Sequence, residues 1–165
     1  MPIRPATPAD FPAILALNAA AVQYTSPLDA PRLAALHAQA TLHRVAEHEG
    51  RVVAFLLALR EGADYASPNY RWFAARYPRF LYVDRVVVAD DAPPQGFGSA
   101  LYADLFAHAA ATGCATLACE YDLEPPNPRS ARFHAKHGFR EVGRQTLYGG
   151  QKIVSLQIAT PLAPA

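Results

Sequence analysis

The chain has 165 residues, of which 52% are hydrophobic and 18% are charged. This length suits one domain with a substantial core, and we expect a single domain over residues 1–165. Its 15 Lys and Arg against 14 Asp and Glu leave a formal net charge of +1, and no basic stripe is visible, so nothing favours a nucleic-acid partner.

The expected location follows from the apolar runs and the cysteines. No apolar run approaches the roughly 18 residues that a membrane-spanning helix needs, and residues 1–11 contain no apolar signal segment. Cys114 and Cys119 are five positions apart, so on one strand they would point to opposite faces. We therefore expect no disulfide, no membrane partner and a cytoplasmic location.

The first third of the sequence predicts a strand, two helices and a β-hairpin. Residues 3–7 form the short strand, and a capped helix with one apolar face follows. Asp29 begins the second helix. Alternating residues on both sides of Glu49-Gly50 predict the hairpin.

Residues 60–79 interrupt this pattern with a loop of about twenty residues, a length that is usually functional or disordered. The loop is too aromatic for disorder. A helical turn is expected near 72–76. Two interpretations stay open, a lid that packs on the core and a substrate-binding segment. The aromatic residues are Tyr65, Tyr70, Trp72, Phe73 and Tyr77.

The rest of the chain predicts alternating strands and helices. Asp84 lies in the otherwise apolar strand 80–88, which we expect to be covered on both faces. A turn-rich loop is expected at 122–128. The whole order describes one mixed α/β domain. The expected strands are 80–88, 115–121, 139–147 and 152–158, and the expected helices are 99–112 and 130–137.

The segment Gly96-Phe97-Gly98 lies between a buried strand and the start of a helix. Amides of a first helical turn and the positive end of the helix dipole can hold an anion. An ordinary glycine turn is the alternative. A dinucleotide fingerprint is a second alternative, with Glu120 as its acidic residue, but Leu101 stands where that motif has its third glycine.

Two segments have recognisable motifs, VADDAPPQGFGSAL at residues 88–101 and NPRSARFHAKHGF at residues 127–139. The first resembles the acyl-CoA loop of the GNAT N-acetyltransferase superfamily. The second resembles the segment N-x-x-A/S-x-x-F-Y/H-x-x-x-G-F of the same superfamily. More narrowly, CEYDLEPPNPRSARFH with YVDRVVV is similar to a bacterial group of predicted acetyltransferases of undefined substrate.

The resemblance implies both a fold and a co-substrate, acetyl-CoA. The fold is an α/β (α+β) GNAT fold, with a mixed, mostly antiparallel sheet of about seven strands and about four helices. A V-shaped gap is expected between strands 80–88 and 115–121, where the pantetheine arm pairs as an added strand. The residues implied to bind the co-substrate are Val86, Val87, Val88, Gln95, Gly96, Phe97, Gly98, Ser99, Asn127, Ser130, Phe133, His134 and Lys136.

Pro93 departs from the family's loop, whose first position is usually Arg or Gln. Pro94 likewise replaces a glycine that often follows. The loop thus loses a side-chain donor while two φ angles become fixed. We expect it to hold the pyrophosphate through backbone amides alone.

Acetyl transfer to an amine needs a proton acceptor, because an ammonium of pKa about 10.4 cannot attack. Asp84 and Glu120 are the candidates. An ion pair is the alternative for Asp84, and a structural or substrate-orienting role is the alternative for Glu120. His134 occupies the position where the family often has a tyrosine that protonates the leaving thiolate, and a structural histidine is the alternative there.

A zinc site built on His134 and His137 lacks a third ligand, so no metal is expected.

The expected function is direct transfer of an acetyl group from acetyl-CoA to a primary amine of a small molecule or amino acid, in a ternary complex. A homodimer is possible in this superfamily. The alternatives are a non-catalytic acyl-CoA-binding or regulatory module on the same fold, and an NAD-type oxidoreductase.

Overall fold

A computed structural model gives the fold and describes residues 2–161. Within that range the chain forms seven strands and five α-helices. The strands are β1 (Ile3–Pro5), β2 (Leu42–His48), β3 (Arg51–Arg60), β4 (Leu81–Val88), β5 (Leu117–Glu124), β6 (Arg140–Leu147) and β7 (Lys152–Ala159). The helices are α1 (Phe11–Ala20), α2 (Ala30–Gln39), α3 (Pro68–Ala74), α4 (Phe97–Ala111) and α5 (Pro128–Lys136).

The seven strands form one sheet in the order β1-β2-β3-β4-β5-β7-β6. The pairs β1/β2, β2/β3, β5/β7 and β6/β7 are antiparallel. Strands β4 and β5 are parallel and pair at Leu81↔Leu117 and Tyr82↔Ala118. The α/β class and the mixed, mostly antiparallel sheet are therefore confirmed.

Tertiary contacts divide the chain into two compact units, each assembled from two chain segments. Among the described residues, the first unit contains residues 2–59 together with Val83–Leu105. The second contains Arg60–Tyr82 and residues 106–161. A single catalytic domain over residues 1–165 stays a prediction.

Each unit has its own apolar core. In the first unit the largest fully buried side chains include Ile14, Leu42 and Phe55. In the second they include Phe73 and Phe80.

Both cysteines are buried free thiols. None of the helices within residues 2–161 has the length and apolar character that a membrane span requires.

Local signals explain several element boundaries. The Asp29 side chain accepts the N–H of Arg32 at 2.9 Å and thereby caps α2, as its side-chain type favours. Glu49 and Gly50 both have positive φ, 50° and 75°, which is the conformation of a tight hairpin turn. The predicted hairpin between β2 and β3 is confirmed.

The segment 60–79 differs from the sequence-based expectation because it contains a complete helix, α3. The helix begins at Pro68, earlier than the turn expected near 72–76. The Ser67 hydroxyl accepts the N–H of Tyr70 at 3.4 Å, and Pro68 occupies the first helical turn. These two residues are an ordinary start signal for a helix, so this helix adds to the four that were expected.

Strand β5 is longer than expected. The turn-rich loop predicted from Asp122 begins only after Glu124, because β7 continues to pair with β5 as far as Glu124↔Ile153. Pro125 and Pro126 then end the strand, since proline cannot donate to a ladder.

The aromatic side chains of α3 pack inside the second unit. Tyr70 contacts the rings of Phe80 and Tyr82, each at 5.5 Å between centroids. Its hydroxyl donates to Arg60 O at 2.6 Å and accepts from Ala63 N at 3.0 Å. Because a buried tyrosine needs such partners, Tyr70 ties α3 to the end of β3.

Trp72 lies against a glycine of β6. A Cβ built on Gly143 would lie 2.5 Å from Cζ2 of Trp72, closer than real Cβ contacts. On the same indole, the Arg76 guanidinium lies 3.9 Å from a ring centroid. Gly143 is therefore required by a close approach of an aromatic ring.

We expect Gly143→Ala to lower the free energy of unfolding by about 1–3 kcal/mol, the usual cost of overpacking. In a Trp72→Phe background the clashing ring atom is gone, so the same substitution should cost less than about 1 kcal/mol. Urea unfolding of the four proteins in this double-mutant cycle measures both values. Equal penalties in the two backgrounds would show that the indole is not the cause.

Candidate functional site

The glycine loop of the first unit leads directly into α4. Gly96 has φ of 76°, a conformation that favours glycine, and a Cβ there would meet no described atom within 4 Å. Helix α4 begins at Phe97, whose side chain is buried. Backbone donors of the first helical turn have no partner within their own helix, so this open turn fits an anionic group.

One expected donor of this loop is already engaged. The Gln95 N–H donates to Pro93 O at 2.7 Å. The amides suited to a phosphate therefore start at Gly96. In β4 of the same unit, Val87 is buried while Val86 and Val88 are half-buried, and their pairing with pantetheine stays a prediction.

Asp84 belongs to a buried ion pair in the first unit. The Arg85 Nε donates to Asp84 Oδ2 at 2.7 Å. The side chain of Arg85 is 2% exposed and that of Asp84 is 4% exposed. Arg85 also donates to Asn18 Oδ1 at 3.0 Å and to the carbonyl and hydroxyl oxygens of Ser26 at 3.1 and 3.0 Å. Removal of one member of such a pair typically costs 3–5 kcal/mol, so this arrangement favours the ion-pair interpretation of Asp84.

Glu120 lies in a different environment, within the second unit. Its carboxylate accepts hydrogen bonds from two neutral donors, one on β4 and one on α3. The Tyr82 hydroxyl lies 2.8 Å from both carboxylate oxygens, and Asn69 Nδ2 lies 3.0 Å from Oε1. Both donors favour the ionised form of this half-buried carboxylate.

Sequence reasoning missed Asn69. The polar residue stands among aromatic ones in the stretch PNYRWF, and it is buried. A buried amide needs partners, so this isolated polar position was the available signal. Its contact with Glu120 joins residues 51 positions apart, which no local pattern predicts.

Helix α5 carries the remaining predicted residues. The Asn127 side chain caps the helix by accepting the N–H of Ser130 at 3.2 Å, which uses its carbonyl oxygen and leaves its amide N–H groups as donors for a ligand. A cavity of about 130 Å³ lies beside it, lined by residues of 121–123, 126–128 and Ala131. Ser130 is half-buried and Lys136 is exposed.

His134 is buried on α5 within an aromatic cluster. Its Nδ1 lies 2.8 Å from Ser130 O and 3.1 Å from Ser130 Oγ. Its ring stacks on Tyr121 at 5.7 Å and meets the edges of Phe133 and Phe139 at 5.3 and 5.2 Å. Because a carbonyl accepts from Nδ1, the neutral ring carries its proton there.

Burial lowers the pKa of His134 to about 4, although the bond to Ser130 opposes the shift. At pH 7 only about one ring in a thousand would then be doubly protonated. This protonation state does not favour a general-acid role for His134. It fits the alternative in which the histidine organises α5.

Three tyrosines, Tyr82, Tyr121 and Tyr148, differ in the surroundings of their hydroxyl groups. The Tyr82 hydroxyl donates to Glu120, and the Tyr121 hydroxyl accepts from Gln157 Nε2 at 3.2 Å. Tyr148 is 65% exposed.

Residues 2–161 contain no group of three or more His, Cys, Asp or Glu side chains that could hold a metal ion.

The chain matches the Acetyltransferase (GNAT) family over residues 11–139, a stretch that includes parts of both units. It therefore belongs to this family, and the resemblance seen in the sequence is confirmed. A comparison with curated protein sequences yields no significant match.

Several solved structures share the fold. Ard1 from Thermoplasma volcanium matches with a TM-score of 0.79 at 16% identity, over 98% of this chain and 97% of that one. Ribosomal-protein-alanine N-acetyltransferase from Brucella melitensis matches with a TM-score of 0.70 at 25% identity, over 97% of this chain and 99% of that one. N-acetylglutamate synthase from Neisseria gonorrhoeae, complexed with coenzyme A and N-acetyl-glutamate, matches with 0.69 at 16% identity, over 98% of this chain and 35% of that one.

The lowered pKa of His134 predicts a pH dependence of stability. An unfolded histidine binds a proton below about pH 6.5, whereas the folded ring binds one only near pH 4. The free energy of unfolding should therefore fall as the pH drops from about 6.5 to 4, by up to about 3 kcal/mol for this ring. In His134→Asn, whose amide can donate but does not titrate, urea unfolding at several pH values should show a smaller slope.

His43 is the internal reference for this experiment. Burial lowers the pKa of His43 to about 4 as well, so the free energy of unfolding of His134→Asn should still depend on pH, but less steeply. If this variant and the unsubstituted protein show the same pH dependence, His134 has the same pKa in the folded and the unfolded state.

Proposed function

We propose that the protein is an N-acetyltransferase that transfers the acetyl group of acetyl-CoA to a primary amine of a small molecule or amino acid. The carrying observation is the Glu120 carboxylate, held by hydrogen bonds from Tyr82 and Asn69, in a chain of the GNAT family. The amine attacks the thioester directly in a ternary complex. The coenzyme A bound to the Neisseria gonorrhoeae relative supports the choice of co-substrate.

The start of α4 fits the pyrophosphate of acetyl-CoA, because the turn at Gly96 and the first helical turn supply backbone donors and a positive helix end. On the second unit, taken by itself, the Asn127 amide has N–H groups that can donate to carbonyls such as those of pantetheine. Pro93 brings no side-chain donor, so the backbone supplies the binding energy at the loop.

The role of Glu120 follows from the size of the proton-transfer cost. An alkylammonium has a pKa of about 10.4 and a glutamate about 4.3, so a complete transfer between them is uphill by about 8 kcal/mol. Loss of the same proton to solvent at pH 7 costs only about 5 kcal/mol. Glu120 therefore serves as the anion that binds the ammonium while the proton leaves directly to water, and it does not store the proton.

The other two requirements of the reaction are met without a titrating side chain. A backbone N–H of a strand can stabilise the oxygen of the thioester carbonyl as it becomes negative. The departing thiolate, with a pKa of about 8.5 by analogy with cysteine, can take a proton from solvent or from the hydroxyl of Tyr121. His134 contributes by packing α5.

Binding and turnover test this function together. We expect about 1 mM acetyl-CoA to raise the melting temperature by several degrees and NAD at the same concentration to leave it unchanged. A panel of amines, including amino acids and a peptide beginning with alanine, should show acceptor-dependent release of free thiol. Glu120→Gln should lower kcat by about 10²–10⁴, the usual share of a proton-transfer group.

The outcomes separate the alternatives. Stabilisation by acetyl-CoA without thiol release for any amine would indicate a binding or regulatory module. Stabilisation by NAD alone would favour a dinucleotide enzyme. Full activity in Glu120→Gln, with an unchanged melting temperature, would remove Glu120 from the mechanism.

A matched pair of substitutions at the two glycines that flank α4 can test phosphate binding at the glycine loop. Gly96 precedes this helix with φ of 76°, and Gly113 follows it with φ of 69°. Alanine at either position carries the same backbone strain, about 1–2 kcal/mol. Gly96→Ala should weaken the Kd for CoA about tenfold, whereas Gly113→Ala should leave it unchanged. Calorimetry measures both values, and equal effects would contradict phosphate binding at this loop.

A further inference from the structure

Four polar side chains of the second unit form one hydrogen-bonded row that runs from β6 through β7 to β5. The Ser155 hydroxyl donates to Glu141 Oε2 at 2.6 Å. The Nε2 atom of Gln157 donates to Ser155 Oγ at 2.7 Å and to the Tyr121 hydroxyl oxygen at 3.2 Å. Ser155 and Gln157 are both buried, so the middle of this polar row is shielded from solvent.

The charge of Glu141 sets the direction of these hydrogen bonds. The bond from Ser155 lowers the pKa of Glu141, and an ionised carboxylate can only accept. The one proton of the Ser155 hydroxyl is thereby used, so Ser155 Oγ must accept from its other neighbour. A glutamine donates only through its amide nitrogen. The amide of Gln157 is therefore held with Nε2 toward both Ser155 and Tyr121.

Tyr121 is an acceptor in this polar row, so its own proton points to a different partner. Within residues 2–161 the hydroxyl contacts Gln157 and no protein acceptor. The residue is half-buried and lines the cavity of about 130 Å³ beside Asn127. A ligand bound in this cavity can therefore accept the Tyr121 proton.

We propose that Gln157, held by Ser155 and Glu141, is a positioning residue that makes the Tyr121 hydroxyl the proton donor for the departing thiolate of acetyl-CoA. The proposal deepens the proposed acetyltransferase function and rests on it.

The step balances without a further reactant. The amine nitrogen bonds to the carbonyl carbon, and the carbon–sulfur bond breaks with its electron pair on sulfur. The Tyr121 proton moves to this sulfur. The N–H of Gln157 stabilises the phenolate that remains, and the phenolate takes back a proton from the water that accepts those lost by the amine.

The chemistry of a tyrosine suits this transfer better than that of the neighbouring histidine. A phenol and a thiol ordinarily have pKa values of about 10 and 8.5, close enough for a proton to pass between them. The His134 ring stacks on Tyr121 at 5.7 Å. The proton on its Nδ1 is bound to Ser130 O at 2.8 Å, so it is not offered to a ligand.

Asp122 is the other titratable side chain that lines the cavity. Burial raises its pKa, although Lys152 at 3.3 Å opposes the shift. A carboxylate paired with an ammonium acts as an acceptor. On β6, Arg144 donates to Glu141 Oε1 at 3.0 Å, which supports the ionised state at the start of the polar row. Asp122 is therefore the competing donor that the experiment must separate from Tyr121.

The side-chain amide signals of the full chain test the polar row in the protein without ligand. NMR resolves the two Nε2 protons of Gln157, and Gln157→Leu identifies them. We expect Tyr121→Phe to move one of the two proton signals upfield and to leave the other in place, because one proton donates to Tyr121 and the other to Ser155. Tyr70→Phe is the matched control, since it removes another hydroxyl of this unit that does not contact Gln157.

Turnover tests the proton donor. We expect Tyr121→Phe to lower kcat by about 10²–10⁴ and Gln157→Leu to lower it by about tenfold. The KM for acetyl-CoA should stay within about twofold in both, because the charge on sulfur develops only in the transition state. Gln157→Glu keeps the shape but sets an acceptor against Tyr121, so it should lower kcat more than Gln157→Leu. Tyr70→Phe should leave kcat unchanged.

Several results would overturn the proposal. These are unchanged Gln157 signals in Tyr121→Phe, the same movement in Tyr70→Phe, and full kcat in Tyr121→Phe. A loss of kcat in Asp122→Asn together with full kcat in Tyr121→Phe would assign the donor to Asp122. If the Gln157 variants do not fold, Tyr121→Phe decides, because it removes a single oxygen atom.

The two measurements keep this proposal apart from the enzymatic function. If no amine supports thiol release in the unsubstituted protein, the proposed function is wrong, and with it the thiolate as the acceptor. The amide signals then still decide whether Gln157 directs the Tyr121 proton. If thiol release occurs and Tyr121→Phe retains it in full, the function stands and this proposal is wrong.

Discussion

The parallel register between β4 and β5 is the constraint on which the candidate chemistry depends. Leu81 pairs with Leu117 and Tyr82 with Ala118, so Tyr82 and Glu120 lie on one face of the sheet. A slip by one residue would move every side chain of a strand to the other face. Glu120 would then lose Tyr82 and also Asn69, which α3 brings to the same carboxylate.

The two acidic residues on these neighbouring strands show how partners decide the use of a carboxylate. Asp84 meets a buried guanidinium that also binds Asn18 and Ser26, which favours the ion-pair interpretation of this carboxylate. Glu120 meets a hydroxyl and an amide, which support its charge without neutralising it.

Much of the fold could be predicted from sequence because its signals are local. The caps at Asp29 and Asn127 act within three residues, and the hairpin depends on the turn at Glu49-Gly50. The misjudged elements have different causes. Strand β5 extends to Glu124 because β7, which follows later in the chain, pairs with it. Helix α3 has a local start signal in Ser67 and Pro68, and the rings of Phe80 and Tyr82 pack against it.

The sequence by itself determined the family, the order of most elements and the glycine turn before α4, because motifs and caps are properties of short segments. It also singled out Asp84, Glu120 and His134 as chemically unusual positions. Only the tertiary structure gave these positions their partners, by pairing Asp84 with Arg85, burying His134 among aromatic rings and placing Asn69 against Glu120. Charge state and hydrogen bonding depend on which atoms meet in space, and no local pattern contains that information.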